Sequence, residues 1–216
     1  MTTFVLIHGA GDVGWYWHLV EAELRARGHD TVAPDLPCDD DSAGLNEYTD
    51  TVIEAVGDRS DLVVVGQSFG GFVVPLVADR LPTRALVLVA GMIPAPGERP
   101  DDWVTNTRLA DVEREQLGSD DPYELFYHDV PRPLAEEAMS KGRRQSPTPG
   151  LAPWPLAAWP DVPTRFVLCT EDRVFPAGFF RRLVDERLGI VPDEIEAGHC
   201  VALSRPKELS DLLLSY

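Results

Sequence analysis

Short apolar runs alternate with amphipathic stretches along most of the chain. Phe4-Val5-Leu6-Ile7 is a β-rich run that stops at His8-Gly9, and Thr31-Val32-Ala33 is a brief one closed by Pro34-Asp35. Leu62 to Val65 is the most regular, Ala85 to Val89 follows it, and Arg165 to Cys169 and Gly189 to Ile195 bring the strands to six. Between them, apolar residues recur at helical spacing. Trp15, Leu19, Val20 and Leu24 mark a helix over Trp15 to Arg27 that ends at Gly28. A weaker helix covers Leu45 to Val56, another Phe69 to Leu81, one more separates the last two strands, and a final one runs from about Pro206 to the end. Continuously apolar strands alternating with helices predict an α/β fold, with about six mainly parallel strands in a sheet flanked by helices on both faces.

One stretch breaks the alternation. Twelve of the nineteen prolines lie between Pro94 and Pro163, together with Trp103, Tyr123, Phe126, Tyr127, Trp154 and Trp159. A structureless loop of that length does not suit a compact domain. Residues 92–163 are therefore expected to form a small lid insertion packed over the edge of the sheet, with residues 1–91 and 164–216 forming the core of a single domain. A Pro-rich insertion that touches no site is the plainer alternative.

Length and charge narrow the possibilities. The chain has 216 residues, of which 44% are hydrophobic, enough for one domain with a buried core. It carries 19 basic and 36 acidic residues, a net charge of −17. Such a surface repels phosphate backbones and anionic lipid, so neither nucleic acid nor membrane is an expected partner; it allows a modest bias towards neutral or cationic small molecules, although acidity more often serves only solubility. The three cysteines, Cys38, Cys169 and Cys200, form no disulfide framework and suit a reducing compartment. The first residues include no basic leader segment, and no apolar run approaches the roughly 18 residues that cross a bilayer. A cytoplasmic monomer or homodimer is expected.

Gly66-Gln67-Ser68-Phe69-Gly70 fits G-x-S-x-G, directly after a strand and at the start of a helix. That setting holds a serine on a strained turn with its hydroxyl exposed at the C-terminal edge of the sheet. A turn whose serine only caps the helix is the competing reading. Serine is a weak nucleophile without a base. Of five histidines, His199 stands after the last strand and before the last helix, at the same edge as Ser68. A carboxylate should orient it, and the fifth strand runs into Glu171-Asp172; Asp172 is preferred because Val174-Phe175-Pro176 supplies the tight loop its shorter side chain needs, and Glu171 is the rival. The Phe69 N–H at the helix start can face a developing oxyanion, and Ala10 is the second expected donor, in the His8 to Gly14 loop with its three glycines. Gly9 and the insertion aromatics Trp103, Phe126, Tyr127 and Trp154 are candidates to line an apolar acyl or aromatic pocket. No H-E-x-x-H and no clustered His/Cys set occurs, so neither metal nor organic cofactor is expected.

With Ser68, Asp172 and His199 in this order, the chain resembles an α/β-hydrolase. Phe4-Val5-Leu6-Ile7-His8, Trp15-Tyr16-Trp17-His18, Gly28-His29, Ala33-Pro34-Asp35-Leu36, Asp172-Arg173-Val174-Phe175 and Gly198-His199 resemble the plant methylesterase and hydroxynitrile lyase branch with its bacterial relatives. The lyases pair a threonine in the oxyanion loop with a lysine after the histidine. Gly9 and Cys200 stand there instead, so the esterase members are the nearer likeness. The resemblance implies hydrolysis of a small carboxylic ester, or a lactone or thioester, by a Ser-His-Asp acyl-enzyme route. The same fold also serves carbon–carbon lyases and small-molecule receptors, which remain the alternatives.

Overall fold

The computed structural model describes residues 1–111 and 121–216. Its six strands are β1 (Thr3–Ile7), β2 (Asp30–Val32), β3 (Leu62–Gln67), β4 (Thr83–Val89), β5 (Thr164–Cys169) and β6 (Asp193–Ile195). They form one sheet in the order β2-β1-β3-β4-β5-β6, with every pairing parallel. Every residue of β1 and β3 is buried, which is why those segments read as unbroken apolar runs. The helices α1 (His18–Ala26), α2 (Leu45–Val56), α3 (Val74–Arg80), α8 (Ala177–Leu188) and α10 (Pro206–Leu213), the last preceded by the short α9 (Val201–Ser204), flank the sheet, with α1 packed on α10 and α2 on α3.

Strand ends shift by a residue or two, and three boundaries depart further from the sequence pattern. The sixth strand begins at Asp193, because Gly189 takes a left-handed φ of 64° and terminates α8. The first helix opens as a 3-10 turn over Gly14–Trp17, and the expected Phe69–Leu81 helix is a 3-10 turn over Ser68–Phe72 followed by α3. The second of these turns sits where the chain must bend sharply off β3.

The segment between β4 and β5 holds α4 (Trp103–Asn106), α5 (Pro122–Phe126), α6 (Arg132–Lys141) and α7 (Thr148–Leu151); its residues 112–120 lie outside the described residues. The segment is fastened to the core by buried polar contacts. Trp103 Nε1 donates to the Ile93 carbonyl at 2.8 Å, and Trp154 Nε1 to the Phe72 carbonyl at 3.1 Å. Glu98 receives both terminal nitrogens of Arg187 on α8, at 2.6 and 2.8 Å, with only 4% of its side chain exposed. A short run, residues 143–146, crosses the loops after β1 and β2: Arg143 N–H donates to the Gly11 carbonyl and Ser146 N–H to the Cys38 carbonyl, both at 2.6 Å.

Candidate active site

The turn after β3 is sterically exacting. Ser68 has φ 50°, a region that non-glycine residues seldom occupy. The bend brings Gly66 against the following helix; a Cβ there would lie 2.8 Å from the Gly70 carbonyl oxygen. Gly9, on the neighbouring loop after β1, is equally confined, because a Cβ there would meet the Ser68 Cβ at 3.1 Å and the Gln67 side chain at 2.5 Å. The Ser68 carbonyl accepts the Met92 N–H at 2.9 Å, which anchors the strained residue to the chain leaving β4. Ser68 itself is half-buried and retains access to solvent.

His199 and Asp172 meet at the same edge. His199 Nδ1 lies 2.8 Å from Asp172 Oδ2, with the residues only 3% and 6% exposed. A carboxylate accepts and does not donate, so Nδ1 carries the proton and Nε2 is left with its lone pair. Asp172 Oδ1 accepts the Val174 and Phe175 N–H groups at 2.7 and 3.1 Å, which fixes the carboxylate in the tight loop after β5. Its neighbour Glu171 points to solvent and uses only its backbone here, donating to the Ala197 carbonyl and offering its own carbonyl to His128 Nε2 at 3.1 Å. Gln67 Nε2 reaches the His199 carbonyl at 3.4 Å and so ties the histidine loop to the serine turn. The rings of Phe126 and Phe175 meet the imidazole edge-on at 5.6 and 5.4 Å and shield it from water.

The loop after β1 is braced from several sides. The buried His8 accepts the Leu36 N–H at Nε2 (3.0 Å), so its Nδ1 proton goes to the Gly9 carbonyl at 2.8 Å. Burial lowers the His8 pKa from 6.5 to about 4 and keeps the ring neutral in that role. Gly11 N–H donates to Gln145 Oε1 at 2.9 Å, Val13 N–H to Asp12 Oδ1 at 2.8 Å and Gly14 N–H to Asp35 Oδ1 at 2.7 Å. Ala10 N–H has no acceptor among the described residues. Phe69 N–H lies in the first turn of its 3-10 helix, where no earlier helical residue can accept it. The Ala10 N–H thus lies in the loop after β1 and the Phe69 N–H in the turn that carries Ser68.

Of the expected pocket residues, Gly9 abuts Ser68, Phe126 abuts His199, and Tyr127 is half-buried beside Cys200. Trp103 and Trp154 are a correction. They are 0% and 2% exposed, hydrogen-bonded to backbone carbonyls, and packed in the core, so they support the site from behind and present no wall to a ligand. Trp103 does so directly: its indole packs on Phe175, which in turn packs on His199. Burial raises the thiol pKa of Cys200, beside the histidine, well above its usual value, so the thiol stays protonated and packs as a small apolar group.

Sequence reasoning passed over four residues: Asp12, Gln67, Asp129 and Gln145. Asp129 Oδ2 accepts the Gly198 N–H at 2.8 Å, holding the histidine loop from the inserted segment. Only the x positions of G-x-S-x-G and of the glycine-rich loop pointed towards Gln67 and Asp12; Asp129 and Gln145 act across long sequence separations that no local pattern marks. Among the described residues, no group of three or more His, Cys, Asp or Glu side chains is placed to hold a metal ion. Nor is any described helix long and apolar enough to cross a membrane.

Comparison with known proteins places the chain in a family. The chain is 30% identical to probable esterase PIR7A of Oryza sativa subsp. indica, with 98% of this chain and 95% of that protein aligned. It is 27% identical to methylesterase 7 of Arabidopsis thaliana over 98% and 94% of the two chains. The crystal structure of polyneuridine aldehyde esterase superposes with a TM-score of 0.83, covering 100% of this chain and 98% of that one at 20% identity, a likeness of fold. The model of the Alpha/beta hydrolase family matches residues 4–212. The chain belongs to the alpha/beta hydrolase family.

Proposed function

We propose that the protein is a carboxylesterase-like serine hydrolase, acting on small carboxylic esters through Ser68, His199 and Asp172. The observation that carries this reading is the buried 2.8 Å contact between His199 and Asp172, beside a serine turn at φ 50°. The names of two of its relatives, a probable esterase and a methylesterase, support the same reaction class.

In this mechanism His199 Nε2 takes the Ser68 proton as the oxygen attacks the ester carbonyl. The Ala10 and Phe69 N–H groups receive the oxyanion, in a site where fixed dipoles act with little solvent screening. His199 then protonates the leaving alcohol, and the acyl-enzyme is opened by a water that His199 deprotonates. Asp172 stays ionised and holds the ring tautomer. The inserted segment acts as the lid, bringing Phe126 and Tyr127 over the histidine. It needs no metal or organic cofactor.

The test is pre-steady-state release of p-nitrophenol from p-nitrophenyl acetate and butyrate. A burst is expected that Ser68→Ala abolishes, with an acyl mass on the peptide containing Ser68. Asp172→Asn should lose roughly four orders of magnitude in kcat, as a wrong histidine tautomer does elsewhere, and Glu171→Gln little. Release equal to that of Ser68→Ala, or equal losses at both acidic positions, would count against the assignment.

A further inference from the structure

The loop after β1 has glycine at 9, 11 and 14, so many backbone conformations are open to it and the direction of each peptide must be set from outside. Gly9 lies against the nucleophile turn, where a Cβ would sit 3.1 Å from the Ser68 Cβ. The Ala10 N–H belongs to the peptide between Gly9 and Ala10, whose carbonyl is taken by His8 Nδ1 at 2.8 Å. A trans peptide points its N–H away from its carbonyl, so this bond turns the Ala10 N–H away from the buried His8 ring. The next peptide is held from the inserted segment. Gly11 N–H donates to Gln145 Oε1 at 2.9 Å, and the Gly11 carbonyl accepts the Arg143 N–H at 2.6 Å. Gly11 has φ 65°, and a Cβ there would lie 2.7 Å from the Arg143 carbonyl oxygen, so the run from residue 143 packs directly on the loop backbone. His8 and Gln145 thus fix the two peptides that flank the Ala10 Cα.

Gln145 is itself held in one orientation. Its Nε2 donates to the Ser146 carbonyl at 2.9 Å and to the Tyr48 hydroxyl at 3.0 Å, and Tyr48 is buried on α2. A carbonyl only accepts and a backbone N–H only donates, so turning the amide over would break the bonds to both Ser146 and Gly11. The run around it is seated on the chain after β2: Ser146 N–H donates to the Cys38 carbonyl, and Arg144 reaches Asp41 at 2.8 Å and the Asp39 carbonyl at 2.7 Å. A methionine fills nearly the same space as glutamine and offers no such acceptor, so the bond and not the volume holds the Gly11 peptide.

We infer that Gln145 is a positioning residue for the oxyanion hole: through its bond to Gly11 the inserted segment holds the Ala10 N–H in its donor direction beside Ser68, a role that rests on the ester-hydrolase reading. An oxyanion donor is effective when its direction is set before the charge develops, and Ala10 stands between two glycines that set none by themselves. Gln145 touches neither substrate nor reacting atoms and acts through the Gly11 peptide.

The test is Gln145→Met. With p-nitrophenyl butyrate, acylation and deacylation should each slow by roughly ten- to a hundredfold, short of the loss of about a hundred- to a thousandfold when a donor is removed outright, because both steps pass through an oxyanion. Ester affinity, measured by calorimetry in Ser68→Ala with and without Gln145→Met, should stay the same, since the donor acts on the transition state and not on the bound ester. In proteins carrying isotope-labelled alanine and glycine, the Gly11 amide should exchange with deuterium slowly in the wild type and much faster in the variant, and the Ala10 amide resonance should move. Unchanged rates, a weakened affinity, or an unmoved Ala10 resonance each overturn the inference. Should Gln145→Met lack native circular dichroism, Tyr48→Phe takes its place, because it loosens the Gln145 amide from the core side; unchanged rates and Gly11 exchange there overturn the inference. If the wild type turns over no ester, it is the hydrolase reading that fails. Exchange at Gly11 then decides whether Gln145 holds the loop, and equal exchange in the two proteins rejects it.

Discussion

His8 and Asp12 stand in one loop, and burial drives both towards their neutral forms, with opposite consequences for stability. His8 falls from 6.5 to about 4, so between those values the unfolded chain holds a proton that the folded one lacks, and its contribution to stability is lost as the pH drops. Asp12 rises from 3.8 to about 6, chiefly through burial. In that window the folded protein holds the extra proton, and stability declines as the pH rises towards 6. The two slopes offset each other between about pH 4 and 6, so the wild-type curve conceals both. Asp12→Asn removes one of them. Measured by urea unfolding at pH 5 and pH 7, both above the pI of about 4.5, the stability of Asp12→Asn relative to wild type should improve by about 1 kcal/mol across the interval. An unchanged difference would mean that the carboxyl group is solvated like a surface aspartate.

At the scale of elements, the inserted segment is held by a few buried polar links, and Glu98 is the densest of them. Its carboxylate accepts Arg187 twice, the Asn106 side chain at 3.0 Å and the Ala95 N–H at 3.1 Å. Burial alone would raise its pKa, but these donors outweigh burial and hold it below the ordinary glutamate value. Arg187→Met keeps much of the side-chain volume and leaves the charge unmatched. Breaking one partner of a buried pair costs about 3 kcal/mol, so the urea midpoint should fall clearly. Arg187→Met combined with Glu98→Gln should recover part of the loss, since the stranded charge is then gone. Equal stability for the single variant and the wild type would show that the pair is solvated. The segment also bears on the site, because Trp103 on α4 supports Phe175 and Asp129 holds the Gly198 N–H, both next to His199.

Across the whole molecule, the topology decides where chemistry can gather. The chain passes from β1 outward to β2, then back to β3 on the other side of β1, so the loops after β1 and β3 diverge and leave a crevice at their C-terminal ends. Ala10 and Ser68 stand on those two loops. His199 follows β6 at the far edge, three strands from β3, roughly 14 Å at the usual spacing; its loop must return across the sheet, and the Gln67 contact records that it does. Charge acts at this scale as well. A net −17 on a chain of 216 residues repels itself in the compact state, and salt screens the repulsion. Calorimetric Tm should therefore rise as NaCl is raised from about 20 mM to about 300 mM. A flat or falling Tm would show that favourable surface pairs such as Arg27 with Asp211 and Arg181 with Glu194 dominate the long-range field.

The strand–helix alternation, the parallel sheet and the Ser68 turn were legible from the chain alone because each depends on short-range chemistry. A buried parallel strand must be apolar throughout, and a sharp turn after one leaves little room for side chains beside the serine. Other features depend on contacts between distant residues. Glu171 and Asp172 are adjacent in sequence, yet only Asp172 meets His199, 27 residues on, because the backbone after β5 turns one side chain inward and the other out. Trp103 and Trp154 looked like pocket walls by composition and became core because Ile93 and Phe72 offered their indoles buried carbonyls. Asp12 was one polar residue in a flexible-looking loop until folding buried its carboxyl group, with Arg143, Asp35 and His199 within electrostatic range. Periodicity and turn chemistry are local properties, whereas the direction and electrostatic setting of a side chain follow from packing against residues far along the chain.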